Sequence, residues 1–127
     1  MVPTDLLYNK SHEWIQINDN DEATIGISHH AAELLGDIVF IELPSLDDEV
    51  KIEDDIAVIE SVKTASDLYA PLSGKIIAVN QKLEDNPETI NEDPYGEGWI
   101  MKIKINNKDE VDDLLKSAEY QASIEED

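Results

Sequence analysis

The chain has 127 residues, in which nine lysines and arginines face thirty aspartates and glutamates, so its formal net charge is −21 at pH 7. The length is that of one domain, and a hydrophobic fraction of 41% supports a buried core and excludes a disordered chain. So strong an acidity excludes unaided binding to nucleic acid and to anionic membranes, because both require basic side chains. With no cysteine in the sequence, disulfides, thiolate nucleophiles and cysteine-ligated metals are also excluded.

Short strands separated by turns are predicted along most of the chain. Each is rich in Ile, Val or aromatic residues and is bounded by Gly, Pro, Asn or Asp. The predicted strands cover residues 12–18, 23–27, 37–43, 56–62, 67–70, 75–79 and 99–105. Alternation is clearest in the last strand, where Met101, Ile103 and Ile105 are predicted to face the core. Residues 81–98 are predicted to be irregular.

Two helices are predicted. Ser28 is placed to cap a short helix over residues 28–35, and Gly36 is placed to end it. Asn107 and Glu110 have the spacing of a capping box, which predicts a second helix with an apolar stripe. The stripe consists of Val111, Leu114, Leu115 and Ala118. Many short strands and one strong terminal helix indicate a mostly-β barrel or sandwich.

Four other large apolar residues are also assigned to the interior. Trp14 and Phe40 are predicted core residues. Val50 and Ile52 are predicted to anchor the charged connection over residues 45–55. The last four residues, 124–127, are predicted to fray.

Sequence motifs of enzymes are missing. There is no Gly-x-Ser-x-Gly elbow, no phosphate-binding glycine loop and no dinucleotide fingerprint. The adjacent His29 and His30 would point to different sides of a helix, which disfavours a shared metal and favours surface or capping roles. Thirty carboxylates guarantee chance neighbours, so a solvated acidic surface is the default interpretation of any acidic pair.

Lys63 lies between two predicted strands, near the tip of a hairpin. A hairpin tip is exposed and is positioned by rigid strands, as a group presented to other proteins must be. Glu60 and Asp67 nearby favour the ammonium form, so Lys63 is not expected to act as an unaided nucleophile. Two interpretations stay open at this point: a lysine acylated by a separate enzyme, and an ordinary surface lysine.

Five segments of the sequence resemble glycine cleavage system H proteins, a lipoyl carrier family. The run Glu60-Ser61-Val62-Lys63-Thr64-Ala65-Ser66-Asp67 is similar to the family's lipoyl-lysine segment. In chain order the segments are residues 8–14, 26–28 with 35–44, 60–74, 93–100, and 114–120. Several matching blocks in the family's order are far more specific than any one block alone.

The resemblance implies a mostly-β barrel-sandwich hybrid of the lipoyl/biotinyl type (the hammerhead fold) with a short helix and a C-terminal helix. Residues 1–127 would form a single lipoyl-carrier domain with its core at residues 8–120. Lipoic acid would be amide-linked to Lys63, and Glu13 and Asp67 would line a cleft for the lipoyl arm. Residues recognised by the lipoylating enzyme would be Glu60, Ser61, Val62, Thr64 and Ala65.

The resemblance also implies a carrier without catalytic residues or a metal. It would take the aminomethyl group of glycine from the PLP-dependent glycine decarboxylase to the tetrahydrofolate-dependent aminomethyltransferase. Dihydrolipoyl dehydrogenase would then reoxidise it, and a lipoate ligase or octanoyltransferase would attach the lipoyl group. The carrier is expected to be a monomer. Its acidity suits brief, electrostatically steered encounters.

Other functions stay open. The swinging domain of a 2-oxo-acid dehydrogenase complex is similar in fold, but there the lysine usually follows Asp, whereas here Val62 precedes Lys63. A biotin carrier would have methionines on both sides of its lysine. A lipoate-relay protein would need the same modified lysine, and an unmodified binding scaffold would need none.

The amino terminus bears on location. Residues 1–10 lack the features of a signal or transit peptide, and no run approaches the ~18 apolar residues of a membrane helix. We therefore expect a bacterial or archaeal cytoplasmic protein, or a mitochondrial matrix protein if the chain is a processed eukaryotic form.

Overall fold

Short antiparallel strands dominate the structure, a computed structural model that describes residues 3–125. The strands are β1 (Leu7–Tyr8), β2 (Glu13–Ile17), β3 (Glu22–Ile27), β4 (Ile38–Glu42), β5 (Glu49–Val50), β6 (Asp55–Ser61), β7 (Ala65–Tyr69), β8 (Gly74–Val79), β9 (Met101–Ile105) and β10 (Leu115–Lys116). The α-helices are α1 (His29–Leu35), α2 (Lys82–Asp85), α3 (Thr89–Glu92) and α4 (Ser117–Glu125). Two 3₁₀ helices cover Asp19–Asp21 and Lys108–Asp113.

The strands form two sheets. The larger has seven strands in the order β10-β1-β2-β3-β9-β8-β5, and the smaller has three in the order β4-β6-β7. This mostly-β arrangement, with a short helix and a C-terminal helix, confirms the predicted architecture. Of residues 124–127, which were predicted to fray, Ile124 and Glu125 belong to α4, and residues 126 and 127 lie outside the described part of the chain.

The core lies between the two sheets. Ile15, Ile25 and Ile103 of the larger sheet and Ile41 and Ile59 of the smaller sheet belong to one buried apolar cluster. Each such side chain stabilises the fold by roughly 1.5–3 kcal/mol relative to an exposed one. In β9 the predicted alternation is confirmed, since its apolar residues are buried while Lys102 is half-buried and Lys104 is exposed.

Helix α1 forms as its local sequence predicts. The Ser28 hydroxyl accepts the Ala31 N–H at 3.1 Å, which satisfies one of the free donors of the first turn. Gly36 ends the helix with a φ of +80°, a conformation that favours glycine.

A second buried cluster fixes α4 to the larger sheet. The ring of Tyr120 stacks on that of Tyr8, with centroids 4.5 Å apart. The Tyr120 hydroxyl lies 2.7 Å from His12 Nδ1 and 2.7 Å from Ser28 Oγ. Tyr120 thereby links the C-terminal helix to the start of α1.

The C-terminal helix begins later than predicted. Between Asn107 and α4 the chain forms a 3₁₀ helix and then β10, which pairs with β1. Asn107 does accept the Asp109 N–H at 3.1 Å, but Glu110 binds the backbone N–H and the hydroxyl of Ser73 at 2.7 and 2.8 Å. The predicted capping box is therefore wrong, because Glu110 binds Ser73, just before β8, and does not bind the start of a helix.

The assignment of large side chains to the interior is correct for Trp14 and Val50 and wrong for two others. Phe40 is 49% exposed and Ile52 is 39% exposed. Phe40 lies in a β-bulge, where Ile38 pairs with Ser61 but Phe40 pairs with the adjacent Glu60. The extra residue turns Phe40 outward, as bulges commonly re-aim a side chain.

The segment predicted to be irregular contains the two short helices α2 and α3. Each is a single turn around a buried side chain, Leu83 in α2 and Ile90 in α3. Burial of these apolar residues explains why one-turn helices persist there.

Candidate functional site

Lys63 lies in the tight turn between β6 and β7. The Ser61 hydroxyl accepts the N–H groups of Lys63 and Thr64, each at 3.2 Å, and the Ser61 N–H donates to the Thr64 carbonyl at 2.8 Å. The Val62 N–H donates to the Asp37 carbonyl at 3.0 Å. These bonds hold the turn that contains Lys63 within its own hairpin and also tie it to Asp37, the residue before β4.

The side chain of Lys63 is exposed and runs over Gly36. A Cβ atom at Gly36 would lie 3.0 Å from Lys63 Cε, closer than an ordinary van der Waals contact. Glycine therefore supplies both the φ of +80° and the space for the lysine stem. Within residues 3–125, the ion pairs shorter than 4 Å do not include the Lys63 ammonium.

Asn91 supports this arrangement from α3, and no pattern in the sequence predicted its role. Its side-chain N–H donates to the Gly36 carbonyl at 2.8 Å, and its Oδ1 accepts the Ile38 N–H at 2.9 Å. The two bonds clamp the link between α1 and β4. They join residues 55 and 53 positions apart, a separation that leaves no local pattern in the sequence.

A cleft of about 160 Å³ lies between α1 and the β6–β7 hairpin. Its apolar walls are formed by Ile27, Ala31, Leu34, Leu35, Ile59 and Leu68. Polar side chains line the remainder: Ser11, His12, Glu13, Ser66 and Asp67. The structure thus brings the two predicted cleft residues, Glu13 and Asp67, to the same cavity.

Glu13 is the buried carboxyl of this cleft and is 1% exposed. Its Oε1 accepts hydrogen bonds from Asn9 Nδ2 at 2.8 Å and from the Ser11 hydroxyl at 2.6 Å. Burial nevertheless raises the pKa of Glu13, because these bonds only partly replace the lost water. Asp67, by contrast, is exposed.

The residues predicted to be recognised by a lipoylating enzyme surround the turn. Glu60, Val62, Thr64 and Ala65 are exposed. Ser61 is half-buried, and its hydroxyl is occupied by the hydrogen bonds of the turn. The hairpin therefore presents four of these side chains outward and uses the fifth to hold its own shape.

The two adjacent histidines differ. His29 is exposed and lies 2.6 Å from the Glu33 carboxylate, in agreement with a surface role. His30 departs from that prediction, because it is half-buried, with its ring 5.1 Å from that of His12. Its Nε2 is buried without a hydrogen-bond partner in the described part of the chain.

Residues 3–125 contain neither a cluster of metal ligands nor a helix that could cross a membrane. Within that range no group of three or more His, Asp or Glu side chains is arranged to hold a metal ion. The helices in the same range are all too short or too polar to cross a bilayer.

Comparison with known proteins places the chain in a family. Residues 6–127 match the family described as glycine cleavage H-protein. The glycine cleavage system H protein of Photorhabdus laumondii is 55% identical over 126 residues, which cover 99% of this chain and 97% of that protein. That of a Psychrobacter species is 54% identical over 123 residues, covering 97% and 98%.

A solved structure agrees with the sequence relatives. The crystal structure of a glycine cleavage system H protein from Mycobacterium marinum superposes with a TM-score of 0.89 at 37% identity, covering 98% of this chain and 99% of that one. This likeness confirms the predicted fold class. The chain therefore belongs to the glycine cleavage H-protein family.

Proposed function

We propose that this chain is the lipoyl carrier of a glycine cleavage system, with lipoic acid in amide linkage to Lys63, and that it has no turnover of its own. The observation that carries the proposal is the placement of Lys63. It is an exposed amine on a hydrogen-bonded turn between two strands, beside a cleft with apolar walls. A lipoyl arm that moves between enzymes needs a rigidly held point of attachment.

The apolar lining of the cleft supports a lipoyl chain as its occupant. An alkyl chain with a small ring at its end is apolar along most of its length, as are Ala31, Leu35 and Leu68 in the cleft wall. The polar groups of the cleft, among them Glu13 and Asp67, would face the reactive end of the arm. Leu34 and Leu35 end the helix that leads into Gly36, so the cleft lies beside the stem of Lys63.

Attachment of the arm requires one acyl transfer to Lys63. The amine loses a proton and attacks the carbonyl carbon of an activated lipoyl or octanoyl group, so that an amide N–C bond forms and the activating group leaves with the electron pair. A lipoate ligase would supply an activated lipoyl group and the base. An octanoyltransferase would instead attach an octanoyl group, into which a separate sulfur-inserting enzyme would then have to place the two sulfur atoms. The exposed Glu60, Val62, Thr64 and Ala65 are the side chains that enzyme would meet around the lysine.

When bound, the lipoyl group would supply the reactive disulfide of the carrier, and the proposed partners are the PLP-dependent glycine decarboxylase, the aminomethyltransferase and dihydrolipoyl dehydrogenase. Ser61, Gly36 and Asn91 would hold Lys63, the attachment point, in place. The apolar side chains of the cleft would exclude water from the lipoyl chain. A monomer suits a carrier that must present one exposed hairpin to several enzymes. Since the relatives described above are bacterial, we place the carrier in a bacterial cytoplasm.

The test is intact mass spectrometry of the chain from lipoate-supplied cells, with peptide mapping across residues 60–67. We expect one lipoyl-amide increment, on Lys63. The variant Lys63→Arg keeps the positive charge but has no acylatable amine, so it should fold normally, carry no increment and support no glycine oxidation. Lys51→Arg, also at an exposed position, is the matched control and should behave as the native chain. Glycine oxidation by Lys63→Arg would disprove the carrier function.

A further inference from the structure

Three apolar side chains are exposed together beside Lys63. Val39 is 55% exposed, Phe40 is 49% exposed and Val62 is 66% exposed. Single exposed apolar residues need no explanation, but grouped ones mark interaction sites. We call these three residues the bulge patch.

The backbone pairing shows why the patch is continuous. The β-bulge of β4 sets Val39 and Phe40 against the single residue Glu60, and Val62 follows Glu60 by two positions, on the same outward side of the hairpin. The Val62 N–H bonds to the carbonyl of Asp37, two residues before Val39. The patch therefore spans the outer face where β4 meets the β6–β7 turn.

The bulge also determines how a partner can bind. β4 is an edge strand of the three-stranded sheet, and a regular apolar edge strand would invite another strand to pair with it. The bulge interrupts the regular row of hydrogen-bonding groups along β4. A partner would therefore engage Val39 and Phe40 through their side chains, in an apolar pocket.

The bulge patch lies beside Lys63, the residue to which the lipoyl arm would be attached, and not beside the far end of that arm. Val62 precedes Lys63, and the lysine stem lies over Gly36, close to the start of β4. An enzyme that acylates Lys63 Nζ must approach within bonding distance of that nitrogen, so its surface must cover the residues around the stem. Enzymes that act on the far end of a lipoyl arm reach it many bonds away from Lys63 and are free of that requirement.

The charges around the patch define the partner further. Asp37, Glu42 and Glu60 flank it, and all three are exposed. A complementary surface would carry an apolar pocket with lysine or arginine side chains around it. The overall charge of −21 would favour the encounter with such a surface.

We propose that the bulge patch of Val39, Phe40 and Val62 is the docking surface for the enzyme that acylates Lys63. The inference rests on the proposed carrier function and extends the recognition site from the Lys63 turn to the neighbouring strand β4. Phe40 is its central contact, because it offers the largest apolar area.

The test compares Phe40→Ser and Val62→Ser with Ile17→Ser. Ile17 is 45% exposed and ends β2 in the other sheet, so it is a matched control for exposure. Each unmodified chain is incubated with a bacterial lipoate ligase, lipoate and ATP, and lipoylation is followed by intact mass. Binding of each chain to the ligase alone is measured by titration calorimetry, and circular dichroism checks the fold.

We expect Phe40→Ser to lower kcat/KM of lipoylation by about tenfold or more, through a raised KM and weaker binding. Val62→Ser should have a smaller effect in the same direction, and Ile17→Ser none. Equal kcat/KM for Phe40→Ser and Ile17→Ser would overturn the docking surface while leaving the carrier function intact. A native chain that takes up no lipoate would overturn both.

A third outcome would reassign the patch. If Phe40→Ser is lipoylated at the native rate but, once lipoylated, supports slower glycine decarboxylation than lipoylated Ile17→Ser, the surface belongs to the decarboxylase. The assignment to the acylating enzyme would then be wrong.

Discussion

Trp14 and Phe40 are large aromatic residues in strands, yet they lie in opposite environments. Trp14 is 2% exposed, its ring covers Gly26 on the paired strand, and its Nε1–H donates to the Pro94 carbonyl at 2.8 Å. Phe40 is half exposed in a bulge beside the Lys63 turn. Hydrophobicity alone does not distinguish the two, but the register of the partner strand does.

The region around Trp14 fixes the fold, whereas the region around Lys63 presents that lysine at the surface. Around Trp14, Tyr8 and Tyr120, side chains fill the interior and satisfy their polar atoms internally. Around Lys63 the backbone is held by the Ser61 hydroxyl and by the Asp37 carbonyl, and the Val62, Lys63 and Thr64 side chains are exposed. A carrier of the proposed kind would need both regions, because its exposed hairpin would have to keep its shape while different enzymes bind it.

The largest expected difference between the two regions is in stability. Trp14→Ala should lower the free energy of unfolding by about 3–5 kcal/mol, because it empties a fully packed site. Phe40→Ala should lower it by about 1 kcal/mol or less, because half of the ring is already in water. Urea denaturation of both variants measures the difference. Equal losses would show that Phe40 is part of the packed core.

Tyr120→Phe examines the polar contacts of the buried region. The hydroxyl lies within hydrogen-bond distance of both His12 and Ser28, so its removal should cost about 1–3 kcal/mol. Tyr69→Phe, on an exposed strand position, is the control and should change stability by about 0.5 kcal/mol or less. If the two variants were equally stable, the Tyr120 hydroxyl would not anchor α4.

Some of these features follow from the sequence and others do not. Helix α1 with Ser28 and Gly36 at its ends, and the hairpin that carries Lys63, depend on residues close together in the chain, and local patterns predict them. The bulge at Phe40 depends on the register between β4 and β6, and the Asn91 clamp joins segments more than fifty residues apart. The break before α4 arises because Leu115 pairs with Tyr8 at the other end of the chain. Such pairings are set by the folded sheet, so the local sequence carries no signal of them.

Gly36→Ala examines how the chain supports the Lys63 side chain. A residue with a side chain at a φ of +80° is strained, and the new methyl group would press on the Lys63 stem. We expect a loss of about 1–2 kcal/mol in unfolding free energy and slower lipoylation of Lys63 by the same ligase. Ala32→Gly, in the preceding helix, is a control that should lower stability by about 1 kcal/mol without slowing lipoylation. Slower lipoylation in both variants would attribute the effect to general destabilisation.

Glu13→Gln gives the smallest effect, and it should depend on pH. Burial raises the pKa of Glu13 above its ordinary value of 4.5, so the folded chain holds this proton more tightly than the unfolded chain does. The native chain therefore loses stability as the pH rises from about 4.5 through the folded-state pKa, and glutamine, which has no proton to lose, does not.

Urea denaturation of the native chain and Glu13→Gln between pH 4 and pH 8 measures this difference. The free energy of unfolding of Glu13→Gln should rise relative to that of the native chain as the pH rises. The difference should level off above the folded-state pKa of Glu13. Ser11→Ala sharpens the test, because the Ser11 hydroxyl lowers the pKa of Glu13 and its loss should extend the native chain's decline to higher pH. A constant difference across the range would mean that Glu13 ionises as easily in the cleft as in water, and that the cleft is open to solvent at its polar end.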